Sequence, residues 1–337
     1  MGLKRLSRRA LLIAAPFCTA LAVALAACGT SETPSVLQPE GTSGQDILTL
    51  TIIMFAILSG VLLVVWGILT WVIVRYRNRP ESEVSKTRGN TRIEIIWTVI
   101  PAVIVAVLFA LTLVTTGEIT GAARTVTMTV TGHQWWWEGQ YSGARFKVAN
   151  EFHVPVDRTI TADLLAADVI HSFWVPQMGG KVDMIPGKLN HVAFTPVKVG
   201  HYLGVCSEFC GSQHAHMRML LFVDTSAQYA AWFANQDKRA ATPTTPDGVA
   251  GAAAIGTLGC AGCHTIRGTP LRGTYGPDLT HLASRTTIAA VTLRNTPANL
   301  HRWIADPQAV KPGNHMPALP VPPQTLDQIV AYLSELR

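Results

Sequence analysis

The chain has 337 residues, of which only 14% are charged while 48% are hydrophobic, and its formal net charge is +6. This length allows two ordinary domains plus further segments, and the excess of apolar residues is typical of a chain with membrane segments. The modest charge comes with no long basic run and no interleaving of basic and aromatic residues, which argues against nucleic acid as a partner.

The start of the chain has the pattern of an export signal. Several basic residues near the N-terminus are followed by an apolar stretch over residues 10–27. The ending before Cys28 resembles a bacterial lipoprotein box, which implies cleavage before Cys28 and lipid on its thiol. Ordinary signal-peptidase cleavage, or no cleavage, is the alternative. We therefore interpret residues 1–27 as a signal peptide.

Two long uncharged stretches follow, over residues 47–74 and 95–117. At about 1.5 Å per residue, each is long enough to cross a bilayer. Both are apolar on every face, which argues against a pair of helices buried in a soluble core. The loop over residues 75–92 carries six basic residues against two acidic ones, and the positive-inside rule places it in the cytoplasm. Residues 28–117 are thus predicted to form a transmembrane hairpin, with both flanking portions outside.

Residues 118–239 are predicted to form a separate domain of short β-strands. Residues 125–130 alternate between polar and apolar side chains, as a half-buried strand does. Further β-rich runs, separated by glycine and proline, occur at 146–148, 159–165, 191–194 and 219–223. Several short strands with turn signals between them predict a β-sandwich or a barrel.

One segment of this domain concentrates metal-binding side chains. Cys206, Cys210, His214 and Met217 lie within twelve residues. Sulfur ligands with imidazole favour copper, or zinc if the thioether is incidental, and the thioether argues against zinc because it is a poor zinc ligand. A single blue-copper site needs one cysteine, so two cysteines at this spacing indicate two copper ions bridged by two thiolates. His171, well upstream, is a second candidate imidazole.

The segment 206–217 closely resembles the dinuclear copper (CuA) loop of cytochrome c oxidase subunit II, whose outer domain is a cupredoxin-like β-sandwich. The resemblance implies two bridging thiolates, one imidazole for each copper, a weak thioether ligand and a weak backbone carbonyl ligand. In this order they are Cys206 and Cys210, His171 and His214, Met217, and Glu208. It also implies that the Glu208 side chain reaches a magnesium ion shared with subunit I. His216 is the rival of His214, and the family pattern selects His214.

Three further segments resemble the same family. Residues 132–137 are similar to its aromatic patch, in which the first tryptophan, here Trp135, is where electrons enter the copper domain; Trp136 replaces the usual tyrosine. Residues 181–190 resemble the loop that packs on subunit I. Glu94 matches the glutamate at the mouth of a proton channel in subunit I. Without the resemblance, Trp135 would be a core or interface anchor and Glu94 a solvated residue at a helix start.

The last part of the chain carries the haem c attachment signature, Cys260-Ala261-Gly262-Cys263-His264. In this signature two thiols add to the haem vinyl groups, and the adjacent histidine binds the iron. The preceding residues 240–251 are rich in alanine, threonine, proline and glycine, and are predicted to form a linker. Residues 252–337 are then a separate domain, which the linker would tether to the copper domain.

The second iron ligand is expected to be Met316, whose surroundings resemble the axial methionine loop of class I cytochromes c. This resemblance implies an all-α domain, and methionine ligation raises the potential of the iron. His315 is the rival ligand.

The resemblance covers nearly the whole mature chain and implies a subunit II of a bacterial, proton-translocating cytochrome c oxidase with a fused cytochrome c domain. Electrons from a donor such as cytochrome c or the bc1 complex would pass through haem c and the copper pair to subunit I, where O2 is reduced to water. Subunit III is a further implied partner. Both metal domains would face the periplasm from the inner membrane.

Three alternatives belong to other classes of protein. The first is a membrane-anchored copper and haem electron carrier without an oxidase partner, which would not need an intramembrane docking surface. The second is a reductase of nitrogen oxides such as nitrous oxide reductase, which shares the copper loop but lacks the two-span anchor predicted here. A quinol oxidase subunit II keeps the anchor and lacks the copper ligands, so the intact loop argues against it.

Overall fold

The computed structural model describes residues 34–77, 89–121 and 125–337. The expected signal peptide 1–27 and the candidate lipidation site Cys28 lie outside the described residues, as does most of the basic loop between the two predicted spans.

Two long helices, α1 (Thr42–Tyr76) and α2 (Thr91–Thr120), confirm the predicted hairpin and extend beyond the expected spans. Both are long and apolar enough to cross a membrane. The second helix begins early because the Asn90 side chain accepts hydrogen bonds from the Arg92 and Ile93 amides, at 3.1 and 3.4 Å. Large apolar side chains are exposed along both helices, as a lipid-facing surface requires.

The predicted sandwich consists of two five-stranded sheets. The strands are β1 (Met128–His133), β2 (Trp136–Tyr141), β3 (Lys147–Ala149), β4 (Glu151–Pro155), β5 (Ile160–Ala166), β6 (His171–Trp174), β7 (Val182–Met184), β8 (Asn190–Phe194), β9 (Gly200–Cys206) and β10 (Arg218–Asp224). One sheet has the order β3-β2-β1-β5-β8 and the other β4-β10-β9-β6-β7. Buried and half-buried residues alternate along β1 and β2, so one face of each strand points into the core.

The second sheet determines where the candidate metal ligands meet. In the antiparallel pair of β6 and β9, Phe173 lies opposite Cys206. In the antiparallel pair of β9 and β10, Val205 lies opposite Arg218. The start of β6, the end of β9 and the start of β10 are therefore neighbours at one end of the sheet, and the segment between β9 and β10 closes over that end.

The chain that leads into α1 is hydrogen-bonded to the sandwich. The Glu40 amide donates to the Gln177 carbonyl and the Val197 amide to the Glu40 carbonyl, each at 2.8 Å. Gly41 forms an isolated β-bridge with Pro196. The first apolar helix therefore leaves directly from the β-sandwich, the domain that carries the segment 206–217.

A helix α3 (Ser226–Gln236) follows the sandwich and covers one side of its core. Its Trp232 and Phe233 rings contact Tyr141 and Phe146 at centroid distances of 5.0–6.0 Å. Thr225 begins the helix with a capping box shared with Gln228.

The C-terminal domain is mainly helical and has its own hydrophobic core. It contains α4 (Pro246–Thr257), α5 (Pro297–Ala305), α6 (Pro307–Val310), α7 (Pro323–Glu335) and a short hairpin of β11 (Thr287–Ile288) and β12 (Leu293–Arg294). The all-α prediction holds for its framework, and the hairpin is an addition.

The expected linker over residues 240–251 is partly helical, since α4 begins at Pro246. Thr245 caps this helix by accepting a hydrogen bond from the Gly248 amide at 3.0 Å. The linker prediction was wrong for residues 246–251, because small residues are typical of linkers but also permit close packing between helices. A Cβ at Gly251 would lie 2.0 Å from the Gln328 carbonyl oxygen of α7.

Candidate metal centre

Two buried thiols form the middle of the candidate metal centre. The Sγ atoms of Cys206 and Cys210 are 3.8 Å apart. The ligand atoms of these cysteines and of His171 lie within 4.8 Å of one another, and all three residues are buried. Cys206 ends β9 and Cys210 lies in the following loop, so strand and loop bring the two sulfurs to the same end of the sheet.

The remaining predicted ligands divide between the two sulfurs. His171 Nδ1 is 3.9 Å from the Cys206 sulfur, and the Glu208 carbonyl oxygen is 3.2 Å from it. On the other side, His214 Nδ1 and the Met217 sulfur are 3.6 and 3.7 Å from the Cys210 sulfur. All six predicted ligands thus meet in one cluster with two similar halves. His216 instead contacts Gln213, through a 2.8 Å hydrogen bond.

The orientation of the His171 ring fits a metal ligand. Its Nε2 donates to the Asp168 carboxylate at 2.8 Å, which leaves the Nδ1 lone pair facing Cys206. Burial tends to lower the pKa of His171, but the hydrogen bonds with Cys206 and Asp168 outweigh it and raise that pKa. Burial tends to raise the pKa of Asp168, and the His171, Gln134 and Val169 hydrogen bonds outweigh it in turn and lower the value. Asp168 was not predicted from the sequence.

The contact between the two thiols shifts their pKa values in opposite directions. The hydrogen bond with Cys210 lowers the pKa of the Cys206 thiol against the opposing effect of burial, with further help from His171. The same sulfur contact raises the pKa of Cys210. A first proton therefore leaves easily and a second does not, because two thiolates repel each other at this distance. A bound cation relieves that repulsion, so the donor set fits a doubly thiolate-bridged metal pair.

Trp135 lies against the copper loop. Its Nε1 donates to the Cys210 carbonyl at 3.0 Å, and only 8% of the residue is exposed. Gly211 makes room for the ring, since a Cβ there would lie 2.9 Å from Trp135 Cζ2. The backbone of Gly211 has φ +117°, a region that glycine favours.

The predicted partner-facing residues lie beside the metal cluster on an exposed surface. Lys181 Nζ is 3.2 Å from the Asp183 carboxylate and 3.6 Å from the Glu208 carboxylate, which links the segment 181–190 to the copper loop. Phe209 lies between the two cysteines in sequence and is 76% exposed.

Glu94 lies in the first turn of α2, where its carboxylate accepts a hydrogen bond from the Asn90 amide at 3.2 Å. Its side chain is exposed.

The haem signature occupies a turn after α4. Cys260–Gly262 forms a 3₁₀ helix, and the His264 amide donates to the Cys260 carbonyl at 2.9 Å. His264 Nδ1 donates to the Pro277 carbonyl at 2.8 Å, so its Nε2 lone pair remains available for iron. Burial lowers the pKa of His264, which keeps the imidazole in its neutral, ligating form. The two thiols and this imidazole fit covalent haem attachment.

Met316 is fixed through its backbone. Its amide donates to the Asn314 side chain at 2.8 Å, and its carbonyl accepts from Gln308 Nε2 at 2.9 Å. The neighbouring His315 ring pairs with Tyr275 through a 2.9 Å hydrogen bond.

The architecture is thus that of a membrane-anchored electron-transfer protein, with a cupredoxin-like domain and a cytochrome c domain in one chain. Family comparisons agree over most of its length. The models for the transmembrane and periplasmic domains of cytochrome c oxidase subunit II match residues 37–114 and 142–223, and the cytochrome c model matches residues 249–337.

Curated relatives cover nearly the same extent. Cytochrome c oxidase subunit 2 of Alkalihalophilus pseudofirmus is 35% identical, over 94% of this chain and 95% of the relative. That of Bacillus subtilis is 30% identical, over 84% and 85%. The crystal structure of the periplasmic domain of subunit II of cytochrome oxidase from Bradyrhizobium japonicum is 34% identical and covers 34% of this chain and 95% of its own, with a TM-score of 0.33.

This chain belongs to the cytochrome c oxidase subunit II family. It is a membrane protein of an oxidase complex, and the two domains that follow its helices are of the families that carry copper and haem c.

Proposed function

We propose that this chain receives electrons for a respiratory cytochrome c oxidase. Electrons pass from an external donor, such as cytochrome c or the bc1 complex, through haem c and a dinuclear copper centre to subunit I, where O2 is reduced to water. When bound, the haem and the copper pair each take up and release single electrons. The observation that carries the proposal is the pair of buried sulfurs at 3.8 Å with a similar set of donors on each side.

The chain's own residues hold the copper pair in a fixed frame. The proposed ligands are Cys206 and Cys210 as bridges, His171 and His214 as terminal imidazoles, and Met217 and the Glu208 carbonyl as weak ligands. They come from strand ends and one short loop, so the frame changes little when the charge changes. A rigid frame keeps the reorganisation that accompanies electron transfer small.

The haem is proposed to be attached through Cys260 and Cys263, with His264 and Met316 as its axial ligands. The Pro277 carbonyl orients the imidazole, and the Asn314 and Gln308 side chains orient the methionine backbone.

The exposed surface around Phe209 and the segment 181–190 is the proposed contact with subunit I. The side chain of Glu208, which is close to Lys181, would bind magnesium there together with subunit I. Glu94, at the start of α2, is the proposed mouth of a proton channel in subunit I. Subunit III completes the complex.

The proposed location is the bacterial inner membrane, with both metal domains in the periplasm. The excess of basic residues in the loop 75–92 supports this orientation because such loops stay in the cytoplasm. Cys28 is the proposed lipid anchor.

Spectra of the complex purified from membranes test the proposal. We expect a low-spin c-type haem together with a copper signal in electron paramagnetic resonance, whose hyperfine pattern reports one electron shared by two nuclei. Subunit I should copurify. If both signals are seen in a preparation that lacks subunit I, the result would favour a free-standing electron carrier. Absence of the shared-electron copper signal would contradict the dinuclear copper site.

A further inference from the structure

The haem domain is docked on the copper domain through a buried lysine. Lys311 follows α6 and is only 3% exposed. Its Nζ donates to the carbonyls of Trp135 and His216 in the copper domain, at 3.2 and 3.1 Å, and to the Ala289 carbonyl of its own domain at 3.3 Å. An ammonium group has three N–H donors, so each has one acceptor here.

Burying an ammonium without a counter-charge costs free energy even where its donors are hydrogen-bonded, and here the three acceptors are neutral carbonyls. Burial lowers the pKa of Lys311 to about 8, so the group still carries its charge at neutral pH. The charge is therefore retained at the interface, where it ties the backbone beside Trp135 to the haem domain.

A second contact of opposite polarity lies on the same interface. Glu151, at the start of β4, is buried, and its carboxylate accepts hydrogen bonds from the amides of Thr286 and Thr287 at 3.0 and 2.7 Å. Both threonine hydroxyls also donate to it, at 2.8 and 2.6 Å. Gln213 of the copper loop donates to the Pro312 carbonyl at 2.7 Å. The two domains therefore share a specific polar interface, and the haem domain is not held by its linker alone.

The same interface brings His315 against Trp135. The two ring centroids are 5.3 Å apart at an interplanar angle of 56°. His315 precedes the proposed haem ligand Met316, and Trp135 donates to the carbonyl of the proposed copper ligand Cys210. The route from Met316 to Cys210 therefore follows covalent bonds except at two steps. These are the ring contact between His315 and Trp135 and the hydrogen bond from Trp135 to the Cys210 carbonyl.

We propose that His315 is the bridging side chain between the haem domain and Trp135, and that Lys311 is the positioning residue that fixes their contact. The inference rests on the proposed function. One electron leaves ferrous haem iron, which becomes ferric, and reduces the oxidised copper pair by one electron; no bond forms or breaks at His315. Since the docked domain covers Trp135, an external one-electron donor delivers to the haem.

The test uses the purified complex with His315→Ala, His315→Phe and, as a matched control, His301→Ala in the same domain. After rapid reduction of the haem, absorbance follows electron transfer to copper. We expect His315→Ala to slow this step on the order of tenfold because the contact is lost. His315→Phe, which keeps an aromatic ring, should restore most of the rate, and His301→Ala should match the unmodified complex. Haem and copper spectra and potentials should stay unchanged in all three variants.

Lys311→Met tests the positioning role, with the exposed Lys198→Met as control. Faster amide hydrogen exchange is expected for Lys311→Met at residues 213–217 and 286–291 in the metal-free chain as well as in the complex, together with slower electron transfer. An unchanged rate of electron transfer in His315→Ala, with both metal signals intact, would overturn the bridging role of His315. Unchanged amide exchange together with an unchanged transfer rate in Lys311→Met would overturn the positioning role of Lys311. Missing metal signals in the unmodified complex would instead count against the proposed function.

Discussion

The Asp168 carboxylate accepts a 2.8 Å hydrogen bond from His171 Nε2, and this bond decides which ring nitrogen faces the thiols. Asp168 also accepts a 2.6 Å hydrogen bond from the Gln134 amide, next to Trp135. One carboxylate thus orients a proposed copper ligand and the segment that carries the tryptophan.

Asp168→Ala should weaken copper binding by about 10–100-fold, because the imidazole loses the partner that fixes its tautomer and orientation. A competitive copper titration of the purified chain measures the effect. Asp163→Ala is the matched control, since Asp163 pairs with His191 away from the site. Equal affinity in the two variants would contradict the role given to Asp168.

Met217→Leu should change the copper spectrum and leave the haem spectrum as it is, because the thioether lies 3.7 Å from the Cys210 sulfur. Met219→Leu, at another fully buried methionine, should cost less than about 1.5 kcal/mol and leave both spectra unchanged. Optical and paramagnetic resonance spectra of the two variants make the comparison. Unchanged copper spectra in Met217→Leu would remove Met217 from the ligand set.

Gly251→Ala should destabilise the haem domain by about 1–3 kcal/mol, because the new Cβ would meet the Gln328 carbonyl and force α4 and α7 apart. Gly256 lies in the same helix, and a Cβ added there would have no neighbouring atom within 4 Å. Gly256→Ala should therefore stabilise the domain by up to about 1 kcal/mol. Urea denaturation followed by circular dichroism measures both, and similar midpoints for the two variants would contradict this packing.

The stability of the copper domain should fall as the pH drops below about 6.5. His153 is stacked between Phe222 and Trp232, at centroid distances of 4.5 and 4.3 Å. Burial lowers its pKa, and the hydrogen bond with Asp224 offsets this only in part. The unfolded chain therefore binds more protons in the window between the lowered pKa and the ordinary one, so the folded form loses stability as pH falls through that window.

Thermal unfolding of the unmodified chain and of the His153→Phe and His191→Gln variants, measured between pH 7 and pH 5, tests this pH dependence of stability. The His153→Phe variant should lose part of the pH dependence, because it keeps the ring stack and removes the titrating group. His191 forms an exposed pair with Asp163, so His191→Gln should change stability by less than about 1 kcal/mol. A pH dependence that survives in full in His153→Phe would contradict the assignment.

The sequence allowed the fold and most of the metal cluster to be predicted. Cys206, Cys210, His214 and Met217 lie in one short segment, so their spacing alone brings them together. His171 lies well upstream and is only a candidate imidazole from the residues alone; the family resemblance assigns it to the copper pair, and the structure places it on β6, beside β9. The haem signature is local for the same reason.

The supporting residues could not be predicted, because nothing in their own segments marks their roles. Asp168 lies only three residues before His171, but the sequence does not show that its carboxylate turns toward the imidazole rather than toward solvent. Lys311 and Glu151 look like ordinary surface charges in the sequence, and in the structure each is buried where its side chain meets the neighbouring domain. The same docking explains why a linker of small residues does not make the haem domain independent.

The strand-like contacts of Glu40 and Gly41 with the sandwich have a mechanical consequence. Because α1 departs from these contacts without a spacer, the direction of this apolar helix and the orientation of the sandwich are coupled. A change in the tilt of the helix is therefore passed to the domain that carries the metal cluster.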